Sequence, residues 1–171
     1  MTRLLQADYC VGEYRTHLGR LLGLYEPLEQ AFVWAGEPGH SVALRGRVTA
    51  LRNDLCRMGA TVEEVDKFER RRPFPALSEP RLLGYAYVVF GSMLGARIIV
   101  ARLRESLGED ASYCFYGADG VETGDLWESL CRCLEQAGIA SAAEISASAG
   151  EMFDVYAEWM SGETAHGALC A

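Results

Sequence analysis

Two glycines four residues apart, Gly91 and Gly95, lie in the most apolar stretch of the chain, YAYVVFGSMLGARIIVARL at residues 85 to 103. The composition of this stretch predicts one long helix. A glycine inside a helix costs about 1 kcal/mol relative to alanine, and it is used where backbone must be approached closely. The spacing therefore predicts a bare strip of helix that either another helix or a flat ligand approaches.

Side chains that bind metals or transfer protons are few and scattered. The three histidines, His17, His40 and His166, fall at the edge of a helical stripe, in a Gly/Pro loop and in the C-terminal tail. Glu29 lies within an apolar stripe, where a carboxylate needs a partner, and structural pairing is favoured over catalysis. Beyond Glu29 and several tyrosines, the sequence offers no convergent set of acid, base and nucleophile.

The cysteines show no metal-binding spacing. They contain no CxxC pair, and a zinc site needs ligand pairs at matching spacing. We therefore predict reduced and mostly buried thiols rather than a metal or disulfide framework. The six residues are Cys10, Cys56, Cys114, Cys131, Cys133 and Cys170.

Size and charge limit the classes of protein to consider. The chain has 171 residues, half of them hydrophobic, which fits a single domain over residues 1–171 with a substantial core. Its net charge of −8 argues against a nucleic-acid binder, which needs a basic face. The opening MTRLLQADYC has too short an apolar core for a secretory signal, so we expect a cytoplasmic protein.

Helical periodicity predicts the elements that carry these residues. The first helix is expected from about Asp8 to Trp34 with Pro27 inside it. GEPGH at 36–40 reads as a loop, followed by a helix that ends at Gly59. A capping box at 61–64 and an extended RRRPFPAL linker come next. The apolar side of the first helix comprises Tyr14, Leu18, Leu21, Leu22, Tyr25, Leu28 and Phe32.

The second half of the chain is also predicted to be helical. Ser78 is a plausible N-cap of the long apolar helix, with Pro80 in its first turn. A helix closed by Gly138 follows the loop YGADGVETG at 116–124, and a last helix packs through Ile145, Met152, Phe153, Tyr156, Trp159 and Met160. Strand alternation is not convincing anywhere, so the prediction is an all-α, single-domain bundle.

The apolar stretch has a membrane reading as well. Its length approaches that of a membrane span, and GxxxG is a spacing at which transmembrane helices pack. Arg97 inside the stretch and amphipathic helices on both sides argue against it. A central core helix and a ligand-facing helix both remain open from periodicity alone, and we expect no membrane insertion.

Several segments resemble the haem oxygenase family, in particular the bacterial type that accompanies bacteriophytochromes. FGSMLGARI is similar to that family's distal-helix signature, EYRTHLGRLLGLYEPLE at 13–29 resembles its Y-x-x-x-L…Y-x-P-L-E helix, and NDLCRMGA at 53–60 resembles its D-L-x-x-L-G segment. The Trp127 helix and MFDVYAEWM resemble its terminal helices. The similarity covers nearly all of the chain.

The resemblance implies a haem-oxygenase-like helical bundle that converts haem, O₂ and electrons to biliverdin, CO and iron. Haem then lies between a proximal helix, which supplies a histidine to iron, and the distal helix. Gly91, Ser92 and Gly95 are implied as the catalytic residues on the distal side. The cofactor-binding residues are Phe90, Gly91, Leu94, Gly95 and Ala96, with His17 as a further candidate.

The sequence departs from the family at the proximal ligand, and the metal ligand is therefore unknown. In relatives the histidine lies about twenty residues before the tyrosine that matches Tyr14, whereas here thirteen residues precede Tyr14 and none is histidine. The natural start is upstream, the chain has lost haem chemistry, or another residue such as His17 or Cys10 takes the iron. Arg97, Arg81 and Arg15 are candidates for the haem propionates.

Three functions follow as alternatives. The chain is a haem-degrading enzyme, impaired by the missing ligand and served by an electron donor such as ferredoxin or a reductase. Alternatively it is a non-catalytic haem-oxygenase-like binding or assembly protein for haem or another small hydrophobic ligand. A third option is a different enzyme on the same scaffold. Because the face of a missing helix is apolar, we also expect a homodimer.

Overall fold

The computed structural model describes residues 6, 8–34, 38–108, 111–117 and 122–161, without the side chains of residues 34, 38–45, 122 and 123. All regular structure in these ranges is α-helical, which confirms the all-α prediction. His166, Cys170 and the side chain of His40 lie outside the described part. The helices are α1 (Val11–Trp34), α2 (Pro38–Arg57), α3 (Val62–Lys67), α4 (Glu79–Met93), α5 (Ala96–Leu107), α6 (Cys114–Gly117) and α7 (Glu122–Ser161).

Helix α1 runs through the centre of the hydrophobic core. Its predicted apolar side is confirmed, since all seven residues from Tyr14 to Phe32 are buried. Pro27 lies inside the helix, as the sequence predicted. Leucines and aromatic rings at helical spacing therefore fix which side of α1 faces the other helices.

The boundaries of α2 and α3 test the predictions from turn chemistry. The loop expected at 36–40 is wrong for residues 38–40, which already belong to α2. Gly59 follows the end of α2 with φ of 90°, as a helix-ending glycine should. The capping box is present: the Thr61 hydroxyl accepts from the Glu64 amide, and the Glu64 carboxylate accepts from the Thr61 amide. Residues 70–77 form neither helix nor strand.

The long apolar helix is two helices, and the prediction of one helix is wrong. α4 ends at Met93, α5 begins at Ala96, and the two are bent by 43° at Leu94–Gly95. Pro80 is in the first turn of α4, and Ser78 is its N-cap residue but makes no capping hydrogen bond. The Ser78 hydroxyl instead donates to the Glu144 carboxylate of α7 at 2.8 Å.

The closest helix crossing in this region is at Gly84. α4 packs chiefly on α7. A Cβ at Gly84 would lie 2.5 Å from the Ile145 carbonyl oxygen and 2.7 Å from Ser148 Cβ. Close contact with another helix, one of the two explanations for a glycine strip, therefore applies to Gly84.

Helix α7 is interrupted at Gly138, where φ is 68° and ψ is 179°. The predicted helix end at Gly138 is thus a kink between two helical halves. The loop predicted at 116–124 is wrong for residues 116–117, which belong to α6, and for residues 122–124, which belong to α7. Of the six packing residues predicted for the second half, Phe153 is wrong because 56% of it is exposed. The other five pack against the core: Ile145, Met152, Tyr156, Trp159 and Met160.

No single helix among the described residues combines the length and the apolarity needed to cross a membrane, although the bent pair α4 and α5 passes on length and composition together.

Candidate functional site

Gly91 and Gly95 are not closely packed against the described residues around them. A Cβ on Gly91 would be 3.4 Å from the Trp127 ring, an ordinary contact. A Cβ on Gly95 would meet only the Ser92 carbonyl oxygen, at 3.9 Å. No helix in the described structure therefore requires glycine at either position, in contrast to Gly84. What remains is open space beside the bend between α4 and α5.

A cavity of about 500 Å³ adjoins this bend. Its volume falls within the range of sites for small molecules and cofactors, about 300–1,000 Å³. Helix α5 forms one side, α6 another, and the start of α7 closes it. The lining residues are Met93, Leu94, Ala96, Arg97, Val100, Ala101, Arg104, Tyr116, Gly117 and Gly124.

The α6 wall is held in place by the buried carboxylate of Asp54 on α2. Asp54 accepts hydrogen bonds from the Ser112 hydroxyl and from the backbone amides of Cys114 and Phe115, both at 2.8 Å. These amides belong to the first turn of α6, where free N–H groups favour a negative charge. A four-residue helix is unstable by itself. Asp54 thus supplies the partner that α6 lacks in its own sequence.

Arg47, also on α2 and also buried, contacts the same short helix at Phe115. Its guanidinium donates to the Phe115 carbonyl oxygen and lies 5.8 Å from the centre of the Phe115 ring. One cation and one anion from α2 therefore hold α6 against the core at neighbouring backbone groups.

Tyr116 connects the cavity to the interior. Its hydroxyl shares a 2.7 Å hydrogen bond with Nε2 of His17, and the two rings are nearly parallel with centres 6.1 Å apart. Burial raises the pKa of the Tyr116 phenol well above its ordinary value. Burial, aided by the Arg20 charge, lowers the pKa of His17 to about 4. At neutral pH this is a pair of uncharged rings.

The residues proposed from the sequence are partly brought together. Leu94 and Ala96 line the cavity, and Gly95 lies between them at the bend. Gly91 lies one turn earlier, facing Trp127. The structure thus gathers four of the predicted positions within two helical turns.

The other predicted positions lie around this group. Phe90 is fully buried in the hydrophobic core and does not line the cavity. The Ser92 hydroxyl donates to the Val89 carbonyl oxygen at 2.7 Å. Burial raises the pKa of Tyr25, and a hydrogen bond with Ser92 opposes that rise. His17 reaches the cavity only through Tyr116.

The described residues contain no group of three or more His, Cys, Asp or Glu side chains able to hold a metal ion. His17 offers a neutral imidazole, but its Nε2 is engaged by Tyr116. Cys10 is disulfide-bonded, so its sulfur is not a thiolate ligand, and the prediction of a reduced thiol is wrong there. The described free cysteines are Cys56, Cys114, Cys131 and Cys133, of which Cys56 is exposed rather than buried.

The arginines of the linker serve the fold. Arg70 and Arg52 both pair with the Glu26 carboxylate, which ties the linker and α2 to α1. Arg71 stacks on Phe74 with 4.1 Å between guanidinium and ring centre. The Arg70–Arg72 run therefore has a partly structural role, in which Arg70 pairs with Glu26 of α1.

Sequence reasoning missed three residues of the site. Tyr116 was read as part of a loop, Arg104 was not singled out, and Asp54 was noted only within a motif. The contacts of Tyr116 and Asp54 join positions about sixty to one hundred apart, and no local period encodes such contacts. A signal was present only for Asp54, since a carboxylate in a buried helix position demands donors.

Comparison with known proteins gives one informative relative. A protein of Xanthomonas campestris pv. campestris (strain 8004), named heme oxygenase, is 33% identical to this chain over 146 residues. The alignment covers 85% of this chain and 84% of that protein. No protein-family model matches the chain, and no solved structure matches it.

Proposed function

Because the chain belongs to the haem oxygenase family, we propose that it binds haem as a substrate at the α4–α5 bend. The family-level reaction is the degradation of haem. In the finer form proposed here, O₂ and electrons from a ferredoxin or a reductase convert haem to biliverdin, CO and iron. The residues proposed to face the haem are Gly91, Ser92, Leu94, Gly95 and Ala96.

The observation that carries the proposal is the open space at Gly95. Gly95 lies at the bend with φ of −85°, a conformation open to other residues, and a Cβ there would be free of close contacts. A flat macrocycle lying on the bend would explain why residue 95 is glycine, because a Cβ there would occupy the space that the macrocycle needs. The adjoining cavity, with Met93 and Val100 in its wall, provides apolar surface for the same molecule.

A non-catalytic binding protein is the second candidate function. The observation that favours it is the position of His17, whose Nε2 is bound to Tyr116 and not presented to the cavity. A haem held without an imidazole ligand is expected to bind more weakly and to turn over slowly, which is the impairment proposed for this chain.

A homodimer in the cytoplasm completes the proposal. Tyr87, Leu94 and Ile98 are 42%, 52% and 69% exposed, and they are spaced by seven and four residues along α4 and α5. Apolar side chains exposed at such spacing favour association.

The test of haem binding is a titration of the purified chain followed by Soret absorbance. We expect a saturable one-to-one spectrum, and about tenfold weaker binding by Gly95→Leu, whose side chain fills the proposed site. Gly46→Leu is the matched control, because Gly46 lies in α2 with nothing within 4 Å of its Cβ position. A spectrum that never saturates, or equal affinities for the wild type and Gly95→Leu, overturns the proposal.

The test of catalysis is a second experiment on the haem-loaded chain. Supplying a ferredoxin and its reductase under air should replace the Soret band by the absorbance of biliverdin, with CO released. Saturable haem binding without either product assigns the non-catalytic function. His17→Ala then tests whether His17 contributes to the iron, since the loss of an imidazole ligand shifts the Soret maximum of the bound haem.

A further inference from the structure

The two glycines near the bend differ in what already lies on them. At Gly91, atoms Cζ3 and Cη2 of the Trp127 indole lie 3.4 and 3.7 Å from the position of a Cβ. Trp127 is the one described side chain from outside that turn of α4 within 4 Å of this position. At Gly95 no described side chain comes within 4 Å. An aromatic ring therefore covers Gly91, whereas Gly95 is bare.

Trp127 stands at one end of the cavity. It lies three residues after Gly124, which lines the cavity from α7, so both face nearly the same side of that helix. Leu94, which lines the cavity from the bend, lies three residues after Gly91. Trp127 is not itself among the lining residues. The indole therefore marks where the cavity ends, between α7 and Gly91.

Ring contacts and the core hold Trp127 in place. Its indole packs against the Tyr87 ring, with 5.4 Å between the ring centres and an angle of 45° between the planes. Trp127 also packs against the hydrophobic core and is half-buried. Part of its ring is therefore still open to a further planar group, and aromatic rings favour offset or tilted contacts of this kind.

We propose that Trp127 positions the tetrapyrrole along the bend: the macrocycle lies over Leu94 and Gly95, and its edge packs against the indole that covers Gly91. Apolar contact is non-directional, so a flat ligand on a bare stretch of helix has no fixed place along it. An aromatic ring at one end supplies that limit. Trp127 thus acts on where the ligand lies.

This inference rests on the proposed function and adds the point at which the ligand stops. Aromatic contacts have ring centres about 4.5–7 Å apart, and one such contact with the macrocycle should change a dissociation constant about two- to tenfold. Phenylalanine at position 127 keeps a ring beside Gly91 and retains most of that contact. Alanine removes it.

The first experiment titrates metal-free protoporphyrin IX into the full chain and follows the fluorescence anisotropy of the porphyrin. Removing iron excludes any contribution of an iron ligand, and direct excitation of the porphyrin makes the signal independent of the number of tryptophans. The variants are Trp127→Ala and Trp127→Phe. Phe153→Ala is the matched control, because Phe153 is also an aromatic residue of α7, is 56% exposed and does not line the cavity.

We expect Trp127→Ala to bind the porphyrin about fivefold more weakly, Trp127→Phe to recover most of the affinity, and Phe153→Ala to match the wild type. Equal or tighter binding by Trp127→Ala overturns the inference while haem binding stands. Binding of haem without binding of the metal-free ring also overturns it, because contacts at the bend then do not hold the macrocycle. If neither molecule binds to the wild type, the proposed function itself fails.

The second experiment distinguishes direct contact from a structural effect. With ¹⁵N-labelled tryptophan, the chain gives one indole N–H resonance for each of its three tryptophans. The ring current of a bound macrocycle shifts nuclei beside it, so the Trp127 resonance, identified by its absence in Trp127→Phe, should shift most. This measurement stands even if Trp127→Ala does not fold. A loss of affinity without this shift gives Trp127 a structural role and overturns the inference.

Discussion

The imidazole of His17 and the hydroxyl of Tyr116 are joined by a 2.7 Å hydrogen bond that links α1 to α6. Because Tyr116 lines the cavity, the bond makes the α6 side of the cavity depend on the protonation state of His17. Nε2 of a neutral imidazole donates or accepts this hydrogen bond, depending on the tautomer. An imidazolium in the same place carries a charge that its buried surroundings disfavour.

Acidification should therefore destabilise the protein through His17. Its pKa falls from 6.5 to about 4 in the folded chain because burial disfavours the charged form. The folded state then binds fewer protons than the unfolded one, so this stabilisation is complete above about pH 6.5 and is lost as the pH falls towards 4. The loss amounts to about 3 kcal/mol at most.

Urea unfolding at several pH values between 7.5 and 4 measures that loss. His17→Gln removes the titration and keeps a polar group, so its free energy of unfolding should fall less steeply with acid than that of the wild type. Parallel curves for the two proteins would mean that His17 is not held neutral by the fold.

Asp54 should be among the most sensitive positions in the chain. Asp54→Ala leaves two backbone amides and the Ser112 hydroxyl without their acceptor, and each buried unpaired donor costs about 1–3 kcal/mol. We expect a loss of about 3 kcal/mol or more in urea unfolding, and a smaller loss for Asp54→Asn. The exposed neighbour provides the control: Asn53→Ala should change stability by less than about 0.5 kcal/mol.

Gly84 and Gly46 should respond to alanine in opposite directions. At Gly84 the new methyl group meets the Ile145 carbonyl oxygen at 2.5 Å, and backbone on both helices has to move. Overpacking of this kind costs about 1–3 kcal/mol. Gly46→Ala meets nothing, and the gain in helix propensity is about 1 kcal/mol. Thermal unfolding of both variants checks the contrast, and a stable Gly84→Ala would contradict it.

The proposed homodimer is tested at Ile98, which is 69% exposed on α5. Ile98→Glu should convert a dimer into a monomer in light scattering at micromolar concentration, because an unpaired carboxylate is costly at an apolar interface. Val62→Glu is a control at an equally exposed valine on α3. A wild-type protein that is already monomeric at this concentration removes the dimer from consideration.

Local chemistry was sufficient to predict much of this fold. The apolar side of α1, the capping box at Thr61 and Glu64 and the glycine at the end of α2 all follow from periods and caps of a few residues. The bend at Leu94–Gly95 did not follow, because an apolar run around two glycines reads equally well as a straight helix.

The candidate site was only half accessible to the same reasoning. Gly91, Leu94, Gly95 and Ala96 were proposed from one short motif that resembles a family signature, and they lie at or next to the bend. The opposite wall depends on Asp54, His17 and Tyr116 meeting across sixty or more residues. Such long-range contacts depend on how the helices pack against one another, and sequence periodicity does not predict that packing.

The hydrogen bonds of the Asp54 carboxylate also bear on the order in which the helices pack during folding. A one-turn helix cannot nucleate alone, and α6 obtains its partners from α2 and α1. We therefore expect α6 to join after those helices have met. A ligand that contacts Tyr116 and Gly117 would then stabilise the state in which α6 is docked. Ligand concentration would therefore shift the equilibrium of this final folding step.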